Sequence, residues 1–272
     1  MKRASIAAFV YHDVTDQPGN SGFQRPGAWP YKLSRREFRA HLDAIAQSPH
    51  AATLAGPLDL ARGGRRLLLT FDDGGASAII AGDELARRGW VGHFFLVTSR
   101  IGQPGFLDAA GIRYLRQAGH VIGSHSHTHP DIFRDESPQR MDEEWRVSCA
   151  RLAALLGEPC VAASVPGGDI SPAVLASAAA AGVRYLFTSE PWLAPRRVRD
   201  SWVLGRYTVK TTTPPDRVGR LAQFRGWTSA RVLRRVKVLA RFASPTLYRL
   251  YVRRRTREST TTVEIAAEVP DA

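Results

Sequence analysis

A parallel β-sheet flanked by helices, open or closed into a barrel, is the fold class predicted for this 272-residue chain. Three observations predict it. Short apolar runs of strand length alternate with amphipathic stretches over residues 1–210. The residues able to do chemistry fall just after those runs, at the strand ends where ligands gather in such sheets. A hydrophobic content of 44% suffices for one well-buried core, or one core plus an appendage.

The strands are expected at residues 6–11, 66–71, 93–97, 120–123, 160–165, 184–188 and 202–209. The start Met1-Lys2-Arg3 is basic, as in a signal peptide. Its apolar stretch is short, however, and runs into Tyr11-His12-Asp13 without a cleavage site. It therefore reads as a first buried strand, and the chain is expected to stay in the cytosol. Ser34 caps a helix whose Phe38, Leu42 and Ile45 recur at helical spacing. Residues 76–88 carry Ile79, Ile80 and Leu85, and residues 107–118 end at Gly119, a C-cap. Ser137-Pro138 and Ser171-Pro172 each open a helix with proline at the first helical position; these end at Gly157 and Gly182.

Beyond Val209 the character changes. Thr211-Thr212-Thr213-Pro214-Pro215 reads as a connector, followed by helical segments at 230–243 and 246–255. The chain thus divides into a sheet-forming unit (1–210), a basic helical extension (211–257) and a polar, then acidic tail (258–272) of disordered composition. The net charge is +13, and residues 216–257 hold thirteen Lys or Arg against a single acid. The excess is local, so the implied anionic partner is local too. On a helical wheel Val232, Leu233, Val236, Leu239 and Ala240 share one face; Arg231, Arg234, Arg235, Lys237 and Arg241 lie opposite, with Val238 and Phe242 interrupting the polar side. From Ala230 to Arg255 the segment suits an anionic membrane surface or the phosphates of a lipid- or nucleotide-linked sugar, against the plainer reading of a solvated helical pair on the sheet. Nucleic acid is disfavoured, because aromatic residues are not interleaved for base stacking. No run reaches the roughly 18 apolar residues of a membrane span. Cys149 and Cys160 read as reduced core thiols, and Trp90, Trp145 and Trp227 as packing residues.

Two motifs carry the chemistry. Thr70-Phe71-Asp72-Asp73-Gly74 follows the apolar run Leu67-Leu68-Leu69. About fifty residues later, His125-Ser126-His127-Thr128-His129 follows Val121-Ile122-Gly123. A carboxylate and two imidazoles form a facial set of metal ligands, and the spare carboxylate can serve as a base. Taken as a helix start, the second motif puts His125 and His129 on one i, i+4 face and turns His127 away.

Together these motifs resemble the NodB-homology polysaccharide deacetylases, carbohydrate esterase family 4. Echoes in Tyr11-His12, Gly92-His93-Phe94-Phe95, Gly119-His120-Val121-Ile122-Gly123-Ser124 and Pro130-Asp131 extend the resemblance over roughly residues 5–209. It implies a deformed (β/α) barrel of about seven strands. It implies Asp72 as general base and Asp73, His125 and His129 as ligands of a divalent metal, commonly zinc. The implied activity is removal of N-acetyl groups from an N-acetylated sugar or glycan precursor.

The family's third motif, Arg-x-Pro-Tyr, corresponds here to Ser164-Val165-Pro166-Gly167, so the arginine that orients the catalytic carboxylate is expected to be missing. The Gly167 or Gly168 amide remains as an oxyanion donor. The fourth motif has only a weak counterpart in Asp200-Ser201-Trp202. The fifth-motif histidine, the general acid, has no counterpart, since no histidine follows His129. His12 is the nearest substitute. Glu190 and Trp192 stand as substrate contacts at the rim, Asp169 as a rim acid or a helix-start acid. The missing arginine and histidine support two alternatives: a catalytically weak or silent barrel that binds a glycan or lipid-linked sugar, or a hydrolase of a different C–N bond.

Overall fold

The computed structural model describes residues 4–55, 60 and 63–256. In chain order the strands are β1 (Ser5–Tyr11), β2 (Asp13–Val14), β3 (Lys32–Leu33), β4 (Arg65–Phe71), β5 (Gly92–Leu96), β6 (Val121–Ser124), β7 (Ala162–Ser164), β8 (Tyr185–Phe187), β9 (Arg196–Val198), β10 (Ser201–Leu204) and β11 (Tyr207–Thr208). The helices are α1 (Arg35–Ala46), α2 (Ala78–Ala86), α3 (Ala109–Gln117), α4 (Pro138–Leu156), α5 (Pro172–Ala180), α6 (Pro215–Ala222), α7 (Trp227–Ala243) and α8 (Pro245–Thr256).

Strands β1, β4, β5, β6, β7 and β8 lie side by side and parallel. Strand β10 pairs with β8 at one edge, and β11 pairs with β1 at the other. Only Gly205 and Arg206 separate these two short strands, so one segment switches partners and draws the edges together. Seven strand positions result, as expected for the deformed barrel; β9 adds an antiparallel edge on β10. The single strand expected at 202–209 is therefore two. A side chain at 205 would meet the Glu190 carbonyl at 2.3 Å and the Trp192 carbonyl at 2.6 Å, so glycine is what lets the chain break there.

Strand alternation sorts the side chains. Ala7, Phe9, Tyr11, Leu67, Leu69 and Phe71 join the large core under the helices. Ile6, Ala8, Leu68, Phe95, Ala162, Phe187 and Leu204 form a separate apolar cluster that fills the barrel. Gly123 is required here, because a Cβ would lie 2.7 Å from the Phe95 ring and 2.4 Å from the Ala162 carbonyl. Continuing each strand's inward parity past this plug gives His12, Asp72, His125, Ser164 and Arg206. The polar site is the layer above the apolar one.

Helix α1 starts at the expected Ser34, in a reciprocal capping box with Glu37, and buries Phe38, Leu42 and Ile45. Helix α6 was not expected, since Pro214-Pro215 reads as a connector; Pro215 instead occupies the first helical turn, where its missing N–H costs nothing. Val218, Leu221, Ala222 and Trp227 belong to the main core, so the packed unit runs past the expected boundary at 210. Trp90, Trp145 and Trp227 are buried, and Cys149 and Cys160 are free and half-buried. The tail expected at 258–272 lies outside the described residues. None of the described helices is long and apolar enough to cross a membrane.

Candidate active site

Asp72 and Asp73 both present their carboxylates to His125 and the same cavity, because the backbone turns between them. The Gly74 amide donates to the Asp72 carbonyl at 3.0 Å across Asp73, whose φ is 73°; this is a γ-turn of the strained hand. Asp73 Oδ1 then lies 3.4 Å from His125 Nε2 and 3.6 Å from His129 Nε2. One ligand atom from each of Asp73, His125 and His129 falls within 4.8 Å of the others, the reach of a single cation. Burial pushes the Asp73 carboxyl up to about 6, against the pull of His125 and Arg25. A carboxylate so poorly solvated invites a cation.

The histidine motif is a loop and not a helix start. Ser126 (φ 67°) and His129 (φ 59°) are left-handed, and with Asp73 they make three of the five non-glycine residues of positive φ among the described residues. Buried Glu144 of α4 holds the loop: it accepts from the His127 amide (2.8 Å), the Thr128 amide (2.7 Å) and the Thr128 hydroxyl (2.6 Å). His125 Nδ1 donates to the Ser164 carbonyl at 2.9 Å, which leaves the Nε2 lone pair facing Asp73. His127 is turned to the Thr98 hydroxyl, 2.9 Å from its Nδ1, outside the ligand group.

Burial and the neighbouring Arg25 guanidinium hold His129 well below its ordinary value, in the neutral form a ligand needs. Arg25 Nη2 donates to His129 Nδ1 at 3.1 Å, so in this arrangement the ring hydrogen sits on Nε2. Offering Nε2 to a cation requires the other tautomer, and Arg25 must then withdraw.

The arginine expected to be missing is present, supplied from elsewhere in the chain. Arg206, at the break between β10 and β11, reaches into the barrel top with no exposed side-chain surface. All five of its N–H groups are used. Nη1 donates to Asp72 Oδ1 (2.7 Å) and the Thr70 hydroxyl (3.0 Å). Nη2 donates to Asp72 Oδ2 (2.8 Å) and Ser164 Oγ (2.7 Å), and Nε to the Thr188 carbonyl (3.0 Å). Ser164 stands where the third motif has its arginine, and its hydroxyl donates to Asp72 Oδ2 at 3.0 Å. A small residue there leaves room for the guanidinium arriving from 206. Burial alone would raise Asp72; Arg206, His125 and His12 together outweigh it and hold the carboxyl below the usual carboxylate range.

A cavity of about 930 Å³ opens above these groups, lined by His12, Asp72, Asp73, His125, His129, Gly167, Gly168 and Arg206 among others. The ring of His12 lies 4.7 Å from that of Tyr31, and burial pushes His12 down, partly offset by Asp72 and Asp13. Of the two oxyanion candidates, the Gly168 amide already donates to the Val165 carbonyl at 2.8 Å. Pro166 is buried and does not line the cavity. Glu190 and Asp169 are not free to meet a sugar, because Arg234 of α7 bonds to both. Trp192 lies under Arg196, 3.9 Å from guanidinium carbon to ring centroid, away from the cavity lining.

A family model for polysaccharide deacetylases matches residues 60–186. No curated protein matches the sequence significantly. Among solved structures, the Streptococcus pyogenes deacetylase PplD in complex with acetate aligns with a TM-score of 0.63 at 18% identity, covering 81% of this chain and 99% of that one. A polysaccharide deacetylase from Bacillus cereus aligns at 0.66 and 18% identity, covering 81% and 69%. IcaB from Ammonifex degensii aligns at 0.61 and 24% identity, covering 82% and 98%. At these identities the likeness is one of fold. Residues 60–186, which carry both the Asp-Asp and the His-Ser-His-Thr-His motifs, thus match the polysaccharide deacetylase family model, and the chain takes the deformed barrel fold of the solved deacetylases.

Proposed function

We propose that this protein is a metal-dependent hydrolase that removes N-acetyl groups from an N-acetylated sugar or glycan precursor. One observation carries the proposal: Asp73, His125 and His129 converge within cation reach at the floor of a large cavity, beside an ionised Asp72. The donor set, two imidazoles and a carboxylate, suits zinc with positions left open. When bound, such an ion polarises an amide carbonyl and makes water acidic.

The chain's own groups supply the rest. Arg206 and Ser164 use three of the roughly four acceptor sites of the Asp72 carboxylate, leaving one on Oδ1 for the proton of an attacking water. The grip of Arg206 makes Asp72 a weak base but fixes its direction and keeps it ionised. Water adds to the amide carbon, the C–N bond breaks, and the products are acetate and a free amine. The amine needs a proton, and His12 is the cavity-lining imidazole outside the ligand set that can relay one. The presence of Arg206 withdraws one of the two reasons for reading the barrel as catalytically silent.

The test is acetate release from N-acetylated sugars by the wild type, Asp72→Asn and His125→Ala, with metal content measured on each. Wild-type turnover, a metal-replete but inactive Asp72→Asn and a metal-poor His125→Ala are expected. Metal-loaded wild type that releases no acetate from any such sugar would contradict the assignment.

A further inference from the structure

Helices α7 and α8 sit on the barrel the wrong way round for a soluble protein. An amphipathic helix normally buries its apolar stripe, yet here, beyond Trp227 and Ala230 at the start of α7, the inward contacts described next are polar. Arg234 of α7 is nearly buried and pairs with Asp169 and Glu190. The Tyr248 hydroxyl of α8 meets Asp169 at 3.5 Å, Arg249 pairs with Asp135 at 3.1 Å, and the Thr256 hydroxyl bonds Asp131 at 2.8 Å. The Arg255 carbonyl accepts from the Gly27 amide at 2.9 Å.

Outside stand Val232, Leu233, Val236 and Leu239 on α7 and Leu247, Leu250 and Tyr251 on α8, each 56–66% exposed. These are seven of the nine large hydrophobic side chains exposed among the described residues. Such a concentration marks a surface that meets something apolar. Between Trp227 and Thr256 the sequence also has nine Lys or Arg and no acid, and setting aside the inward-paired Arg234 and Arg249 leaves seven. That charge repels a second copy of the same face and complements an anionic bilayer. Leu233, Leu247 and Tyr251 belong to both sets, exposed outside and lining the cavity that reaches Asp73 and His125. The apolar surface therefore continues from the outer face into the mouth of the site.

We propose that α7 and α8 dock on an anionic lipid surface, and that the substrate is an N-acetylated sugar anchored in that surface through a lipid. This rests on the deacetylase reading for its chemistry, but the docking stands on the helices alone. The sugar enters from the membrane side, its apolar anchor leaves along Leu233, Leu247 and Tyr251, and binding energy from the anchor holds the amide at the metal ligands.

The full-length, zinc-loaded protein is tested by co-sedimentation with phosphatidylcholine vesicles, with and without phosphatidylglycerol. Acetate release is measured in parallel from a soluble N-acetylated disaccharide and from N-acetylglucosamine phosphate-linked to a polyprenol in the same vesicles. The variants are Val236→Glu/Leu239→Glu and Arg235→Glu, all exposed positions outside the cavity. Expected are strong binding only to the anionic vesicles and about a ten-fold or greater loss of binding in the double variant. A smaller, salt-dependent loss is expected for Arg235→Glu. Turnover of the lipid-linked sugar should fall with binding while that of the soluble one holds.

Failure of the wild type to bind anionic vesicles, or equal binding by the double variant, overturns the docking. So does a wild-type dimer that the double variant breaks, since the face is then a self-association surface. Binding with no preference for the lipid-linked sugar overturns the substrate class. Binding with no acetate from either substrate contradicts the deacetylase reading instead, and is distinguished by the sedimentation result.

Discussion

Replacing Arg206 with methionine tests the physical centre of this site. The substitution keeps the volume roughly and removes all five guanidinium donors. Asp72, with a side chain only 5% exposed, is left as a buried carboxylate with Ser164 as its remaining donor. Breaking a buried pair from one side costs about 3–5 kcal/mol when the orphaned charge stays ionised. The alternative is for Asp72 to take up a proton. Burial is the largest influence on that carboxyl and acts upward, so without Arg206 its pKa climbs above the ordinary aspartate value.

Either outcome removes the aimed base, and activity near neutral pH is expected to fall about 100-fold or more, with the acid limb of the pH profile displaced upward. Arg206→Lys should fail similarly, because an ammonium cannot hold both carboxylate oxygens in a planar fork. Combining Arg206→Met with Asp72→Asn should recover most of the lost stability and none of the activity. Urea unfolding and acetate release measure the two effects. A single variant that loses under about 1 kcal/mol and stays within a few-fold of wild-type turnover would refute the reasoning.

Further predictions concern the surroundings of the ligands. Glu144→Ala should weaken zinc binding about 10- to 100-fold in a chelator competition, since the loop of His125 and His129 loses the carboxylate that accepts three of its hydrogen bonds; unchanged affinity would show that the loop holds itself. Arg25→Ala should strengthen zinc binding about ten-fold, because a charge-assisted bond to His129 Nδ1 no longer competes; weaker binding would make Arg25 a supporter of the site. Burial inside the barrel pushes His93 down to about 4, so its neutral form is the folded one. Its contribution is fully present above the unfolded value of about 6.5 and is lost as pH falls toward 4, by about 3 kcal/mol in all. A His93→Phe variant should show a flatter stability curve over that window, and a parallel curve would exclude His93 as the cause.

Much of this was legible in the sequence because two periodicities and two motifs are local. Strands β1, β4, β5, β6, β7 and β8 announce themselves as short apolar runs, and Ser34, Pro138 and Pro172 mark helix starts through capping chemistry. Asp73, His125 and His129 lie in unbroken motifs, and the structure brings them together. What escaped depended on long-range pairing. Arg206 lies within a stretch that alternates like one strand, and its partner Asp72 is far away in sequence. The available signals were a charge inside an apolar strand and the glycine before it. The rim acids were misread for the same reason: Asp169 and Glu190 look solvent-facing until Arg234 arrives from α7. The outward apolar face of α7 was equally hidden, because a helical wheel gives the stripe and not the side it faces.

The most direct test of the central claim, that Asp73, His125 and His129 hold a metal required for deacetylation, is a zinc titration of chelator-treated protein followed by acetate release from an N-acetylated sugar. No turnover is expected without metal, followed by a linear rise that breaks at one zinc per chain. Undiminished turnover by the metal-free protein, or no acetate at full zinc occupancy, would contradict it.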